Sequence, residues 1–403
     1  MKILFVAMIN SIHTVRWVNQ LKDQGWDIHL FPVEDWGIHP DLRNVTVHNS
    51  FCRKPEGLDE SVRVVNSWPF SRISGLVRRV LKKIFPTLID KKLAGVIKLL
   101  KPDIIHSLEI QHAGYLTLAS RTHFIGNFPP WIVTNWGSDI LVFGQQPEHR
   151  DKIRAVLTAC NYYDCECYRD VELAKAFGFK GQVLPVLPNT GGFNIKRMQE
   201  FRSPGLPSAR RLIVLKGYQG WAGRALVGLQ AIELIADSLK GYHVAVYLAE
   251  KDVKIASEKI TQTTGIPIEI IPHCSHDDML RLHGRARISI GLSIGDAAST
   301  SMLEAMVMGS FPIQSCTACA NEWITDGISG MIVPPEDPEN ISEAIRRAIS
   351  DDALVDRAAE INTQTALERL NYSSIQQQVI LMYEQVAQGR LKQEVDEGHS
   401  QFS

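Results

Sequence analysis

The 403 residues, 45% hydrophobic and 22% charged, exceed what one core usually serves and have the balance of an ordinary globular protein, so two domains are expected. A formal net charge of -1 argues against a dedicated nucleic-acid binder, and no nucleic-acid partner is expected. No stretch approaches membrane-spanning length, MKILFVAMI lacks the cleavage site of a signal peptide, and seven cysteines without such a signal suit a reducing compartment; the expectation is a cytoplasmic protein.

The chain opens as βαβ: strand Ile3 to Met8, helix Thr14 to Gln24 with Val15, Val18 and Leu21 on one face and Gly25 as its stop, then strand Ile28 to Val33. His13 falls in the loop between the first strand and that helix. The stretch 72–101 carries nine Lys or Arg against the single acid Asp90, interleaved with apolar residues; it reads equally as a surface for anionic lipid and as the solvated face of a helix. Further strands are expected at Ile104 to His106, Trp131 to Thr134 and Val183 to Leu187, which makes the first half a parallel α/β domain. In the turn Thr134-Asn-Trp-Gly-Ser-Asp139, Asp139 either orients substrate hydroxyls or caps its own turn. Asp164-Cys-Glu166 is the nearest approach to a metal-binding acid pair, but its tyrosine- and cysteine-rich surroundings read as buried, Asp277-Asp278 reads as a helix start, and no metal site is expected.

The first domain is expected over residues 1–195 and a linker over 196–211, where charge, Pro and Ser accumulate. A second α/β domain follows over 212–372, with strands at Leu212 to Leu215, His243 to Leu248, Ile268 to Ile271, Ile288 to Leu292, Phe311 to Gln314 and Met331 to Val333. A last helix over 373–390, capped by Ser374-Ile-Gln-Gln377, and a fraying tail over 391–403 complete the chain.

The densest chemistry lies in Gly291 to Gly309, GLSIGDAASTSMLEAMVMG. A polar loop carrying Asp296 leads into a helix expected from Met302 to Met308, with Glu304 in its first turn and Gly309 as its stop. Helix N–H groups around Ser299, Thr300 and Ser301 suit a phosphate, and Glu304 suits a ribose diol; Ser301 and Glu304 also fit a capping box, in which Glu304 serves only its own helix. Lys216 closes the first strand of the second domain and Arg224 precedes the next helix, so both cations sit at the carboxyl end of the sheet, where ligands of open α/β sheets bind.

These residues resemble the retaining glycosyltransferases of family 4, whose signature is an acidic residue, seven others, then Glu in a Glu-Ala-Met-x-x-Gly context. Glu304-Ala305-Met306-Val307-Met308-Gly309 fits it, with Asp296 where the family usually has Glu. The resemblance implies the GT-B fold: two Rossmann-like domains with parallel sheets facing a central cleft, and a C-terminal helix returning to the first domain. It places Lys216 and Arg224 on the phosphates of a UDP- or GDP-linked sugar, the reverse of the family's usual Arg-then-Lys order. It puts Asp296 on the donor sugar, Glu304 on the ribose, His273 and Cys274 near the base, and His13 and Asp139 at the inner edge of the first domain. It further implies metal-independent transfer with retention, no cofactor, and a leaving phosphate that takes the acceptor proton. The expected acceptor is a glycan or lipid-linked glycan of surface polysaccharide synthesis, and a lipid-linked one would suit the reading of 72–101 as a surface for the inner membrane face. A nucleotide-sugar epimerase and a non-catalytic sugar-nucleotide-binding protein stay open, whereas a dehydrogenase is disfavoured because neither first strand precedes Gly-x-Gly-x-x-Gly.

Overall fold

The computed structural model describes residues 1–34, 37–48, 57–65 and 87–389, and forms two units: 1–191 with 376 onward, and 192–375. The part of the basic stretch over 72–86 and the expected tail at 391–403 lie outside the described residues.

In the first unit, the strands are β1 (Lys2–Ala7), β2 (Asp27–Pro32), β3 (Thr46–His48), β4 (Arg63–Val65), β5 (Ile104–Leu108), β6 (Trp131–Thr134), β7 (Tyr162–Asp164) and β8 (Gln182–Val183). Among the described residues they form one sheet in the order β4-β3-β2-β1-β5-β6-β7-β8, and every pairing is parallel. Ile3 through Ala7 are buried to the last residue, because a parallel sheet is covered on both faces and its strands have no solvent side. The strand order reverses between β1 and β5, which makes their carboxyl ends the switch point of this unit.

The first helix runs Ile12–Asn19 rather than from Thr14, because the Ser11 hydroxyl accepts from His13 N at 3.3 Å and starts it earlier. Tight i to i+3 turns at Leu21 and Gln24 replace its expected last turn. The strand expected to Leu187 stops at Val183, because Pro185 lacks a ladder donor.

The last helix, Tyr372–Ala387, begins on Asn371, whose Oδ1 accepts from Ser373 N and Ser374 N at 3.0 and 3.4 Å; Ser374 lies inside the helix and is not its cap. From Gln376 on it belongs to the first unit. There Trp17 Nε1 donates to the Tyr383 hydroxyl at 2.8 Å, and that hydroxyl meets His106 Nδ1 at 2.6 Å. His106 Nε2 meets Thr134 Oγ1 at 2.6 Å, and Thr134 donates to Asp164 Oδ2 at 2.7 Å. The Thr134 donation leaves its oxygen to accept from Nε2–H, so Nδ1 accepts from Tyr383 and the chain of bonds has one direction. Burial holds His106 down at about 3 and pushes Asp164 up to about 7.

The second unit contains β9 (Leu212–Lys216), β10 (His243–Tyr247), β11 (Ile268–Ile271), β12 (Ala286–Gly291), β13 (Phe311–Ser315) and β14 (Met331–Val333). They form a parallel sheet in the order β11-β10-β9-β12-β13-β14, so its switch point lies between β9 and β12. The segment 196–211, expected as a linker, counts with this unit. Its helix Ile195–Gln199 buries Ile195 and Met198 against Met302, Leu303 and Met306.

Candidate functional site

Lys216, the last residue of β9, stands at the second unit's switch point. Gly217 follows because a Cβ there would lie 2.6 Å from Ala249 Cα; only glycine lets the chain turn against β10. The loop returns through Gly223, which bridges to Ser293, while Ile294 N donates to Ala222 O at 3.2 Å. These bonds tie the loop before Arg224 to the loop that carries Asp296.

Lys216 Nζ lies 3.3 Å from Asp296 Oδ2, 3.4 Å from Ser293 Oγ and 4.5 Å from the centre of the Tyr218 ring. The Lys216 side chain is 11% exposed and that of Asp296 36%. Burial works against both charges, but their attraction prevails: Lys216 is held above its ordinary range, and Asp296, which also accepts from Ser293 and Ser299, below its own. The two charges named from sequence are thus each other's partners.

Arg224 stands at the N-cap of the Ala225–Leu234 helix. Its Nη1 donates to the carbonyls of Gly220 and Gly223, and its Nε pairs with Glu336, a residue the sequence did not single out.

The signature helix runs Thr300–Met308 with Ser299 as N-cap, two residues earlier than expected. Glu304 is therefore a full turn inside, and the capping-box reading fails. Its carboxylate instead meets His276 Nε2 at 2.7 Å, with the Glu304 side chain 8% exposed and that of His276 46%. His276 was missed, although Ser275 and Asp278, whose cap opens the His276–Arg285 helix after β11, marked its position. Ser301 bonds to Tyr247 at the end of β10, and Ser299 Oγ lies 3.0 Å from Ser301 Oγ. Lys216 reaches the loop 292–299 at Ser293 and Asp296, and the first-turn N–H groups at Thr300 and Ser301 directly follow that loop. His273 and Cys274 lie in the turn after β11, His273 exposed and Cys274 half-buried.

In the first unit, His13 is the second residue of a helix and not part of a loop; its ring lies 5.4 Å from that of Trp136. This ring contact brings the Thr134 to Asp139 turn to the start of the helix that follows β1. Asp139, however, faces inward: it is buried, and its Oδ2 accepts from Ile110 N at 3.0 Å and Trp136 N at 3.2 Å. Burial first, and the neighbouring Glu109 carboxylate second, push it well above the usual carboxylate range. Of its two sequence readings, the structural one describes its contacts.

Two parallel α/β units, one with paired cations and carboxylates at its switch point, define the GT-B class. Residues 2–165 match the family model "Glycosyl transferase 4-like" and residues 232–365 the model "Glycosyl transferases group 1". One model falls in each unit and together they span most of the chain, which belongs to the glycosyltransferases. No curated protein sequence matches it. Sucrose-phosphate synthase from Thermosynechococcus elongatus superposes with a TM-score of 0.68 at 14% identity, over 96% of this chain and 100% of that one. HepE of Anabaena in complex with UDP-glucose gives 0.65 at 14%, over 95% and 99%. A UDP-forming trehalose-phosphate synthase from Burkholderia xenovorans gives 0.67 at 14%, over 96% and 99%. At such identity the structures speak for the fold, and the family models for the glycosyltransferase assignment.

Proposed function

We propose that the protein moves a sugar from a nucleotide diphosphate donor to a hydroxyl of a glycan or glycolipid in surface polysaccharide synthesis, with retention and without a metal. The observation that carries this reading is that Lys216 pairs with Asp296 in the loop before the Thr300–Met308 helix and the backbone of Arg224 bonds to Leu292 at the start of that loop, with Glu304 a turn further into the helix. A departing diphosphate needs fixed positive charge, and two cations with a helix dipole supply it where a metal otherwise would. Glu304 takes the ribose, Asp296 holds Lys216 in place and faces the sugar, and His273 and Cys274 border the base. The UDP and UDP-glucose bound to HepE favour a uridine donor.

A melting-shift screen against UDP-, GDP- and ADP-sugars tests this: one donor stabilises the fold, and no shift with any of them refutes the reading. Transfer that is lost on chelation and restored by a divalent metal would refute the metal-free part. We assign the basic stretch 72–101 to an anionic membrane. Its described part, the Leu88–Leu100 helix, carries Lys91, Lys92 and Lys98 with Leu99 80% exposed. No helix among the described residues is long and apolar enough to cross a membrane. Failure to sediment with anionic vesicles at low salt refutes the membrane assignment.

A further inference from the structure

The second unit holds an imidazole on its signature glutamate that the function above does not use. His276 is the first residue of the His276–Arg285 helix, and the start of that helix is firmly tied. Ser275 Oγ accepts from Asp278 N at 3.2 Å and donates to Asp278 Oδ2 at 2.6 Å, Arg281 pairs with Asp278 at 2.7 Å, and Arg197 pairs with Asp277 at 2.9 Å. Leu280, one turn beyond His276 on the same face, is buried in one cluster with Met302, Leu303 and Met306 of the Thr300–Met308 helix. This packing brings the His276 ring to Glu304, with Nε2 2.7 Å from Oε1. A carboxylate only accepts, so Nε2 carries the hydrogen.

We infer that His276 is a positioning residue for nucleotide recognition: it presets the Glu304 carboxylate to receive the ribose hydroxyls, and so gives the site its preference for a ribonucleotide over a deoxynucleotide. The inference rests on the reading of Glu304 as the ribose acceptor and deepens it.

The last torsion of a glutamate is broad and roughly two-fold, so packing of its stem does not by itself orient its carboxylate. Leu303 and Ala305, on either side of Glu304, are fully buried and fix the helix, while the bond from His276 sets the plane of the carboxylate. A ribose diol brings two O–H donors. The carboxylate has about four lone-pair sites, of which His276 takes one, so acceptors remain for both hydroxyls. Without that bond the carboxylate is ordered only as the nucleotide binds, and the cost falls on the ribose contacts alone. His276 also follows His273 and Cys274 by two residues, so the same bond ties the turn assigned to the base to the helix assigned to the ribose.

The test is titration calorimetry of the whole protein with UDP and with 2′,3′-dideoxy-UDP, or with the guanosine pair if the melting screen selects GDP. H276A should bind the ribonucleotide about three- to tenfold more weakly, the worth of ordering one side chain, and the dideoxynucleotide as the wild type does. H276Q, whose amide donates at the reach of Nε2, should keep most of the wild-type preference. In an E304A background, H276A should change nothing further. Equal losses for both nucleotides, no loss for either, an H276Q protein as poor as H276A, or a further loss in the E304A background each overturn the positioning role while the donor reading stands. An E304A protein that binds the ribonucleotide as tightly as the wild type overturns the ribose reading and this inference with it, as does a wild type that binds neither nucleotide.

Discussion

Replacing Glu304 by Ala tests the nucleotide site at the point where the sequence left two readings. The side chain is 8% exposed and bonds to His276 at 2.7 Å. If its carboxylate also receives ribose hydroxyls, removal costs about 1.5–3 kcal/mol, the range for charged hydrogen bonds. That is a loss of roughly 10- to 150-fold in nucleotide affinity. His276 keeps access to water, being 46% exposed, so the fold itself should lose no more than about 1 kcal/mol. The measurement is thermal or urea unfolding with and without nucleotide. At 100 times the wild-type Kd, the nucleotide stabilises the wild type by about 2.7 kcal/mol, and a thirtyfold weaker variant by about 0.9. An E304A protein that unfolds normally and keeps the full nucleotide stabilisation would show that Glu304 does not touch the ligand.

Three other outcomes follow from the contacts. E336Q frees Arg224 from its ion pair and should tighten nucleotide binding by about two- to fivefold, the worth of an exposed pair; weaker binding by titration calorimetry contradicts this. Y383F leaves Trp17 Nε1 and His106 Nδ1 without their hydroxyl and should lower stability to urea by about 1–3 kcal/mol; an unchanged midpoint refutes the one-directional chain. Burial holds His48, His106 and His283 down to about 4, about 3 and about 4, so between those values and about 6.5 the unfolded chain binds more protons than the folded one and these groups make stability fall as pH drops. Asp164, raised to about 7, works in the opposite sense, so the check is a difference: H283Q should lose less stability than the wild type between pH 6.5 and 4, and equal losses refute it.

The sequence carried most of the sheets, because parallel strands buried on both faces are short apolar runs bounded by turns; Trp131–Thr134, Ile268–Ile271 and Met331–Val333 were placed to the residue. It carried the charged groups of the second unit because they sit at strand ends, where local pattern and ligand position coincide. What it lacked was pairing. Lys216 and Asp296 are 80 residues apart, and Arg224 and Glu336 are 112. No local pattern joins such residues. Asp139 shows the other limit: whether a turn carboxylate points out or in depends on whether a distant N–H, here that of Ile110, waits to receive it. Glu109, which stands at φ +86°, escaped because its neighbours suggested no glycine-like backbone, and only the three N–H groups from which it accepts explain that conformation.

Tyr383 also has a consequence for how the chain is made. The hydroxyl that completes the Trp17 and His106 bonds follows the whole of 192–375 in the chain and leaves the ribosome only after it. At about 5–20 residues per second, residues 1–191 wait on the order of ten to forty seconds with those buried polar groups still unanswered. During that interval the second unit can finish folding while the first, although begun earlier, cannot. The order of completion is therefore the reverse of the order of emergence, and the nascent first unit is the part of this protein that most needs shelter from aggregation.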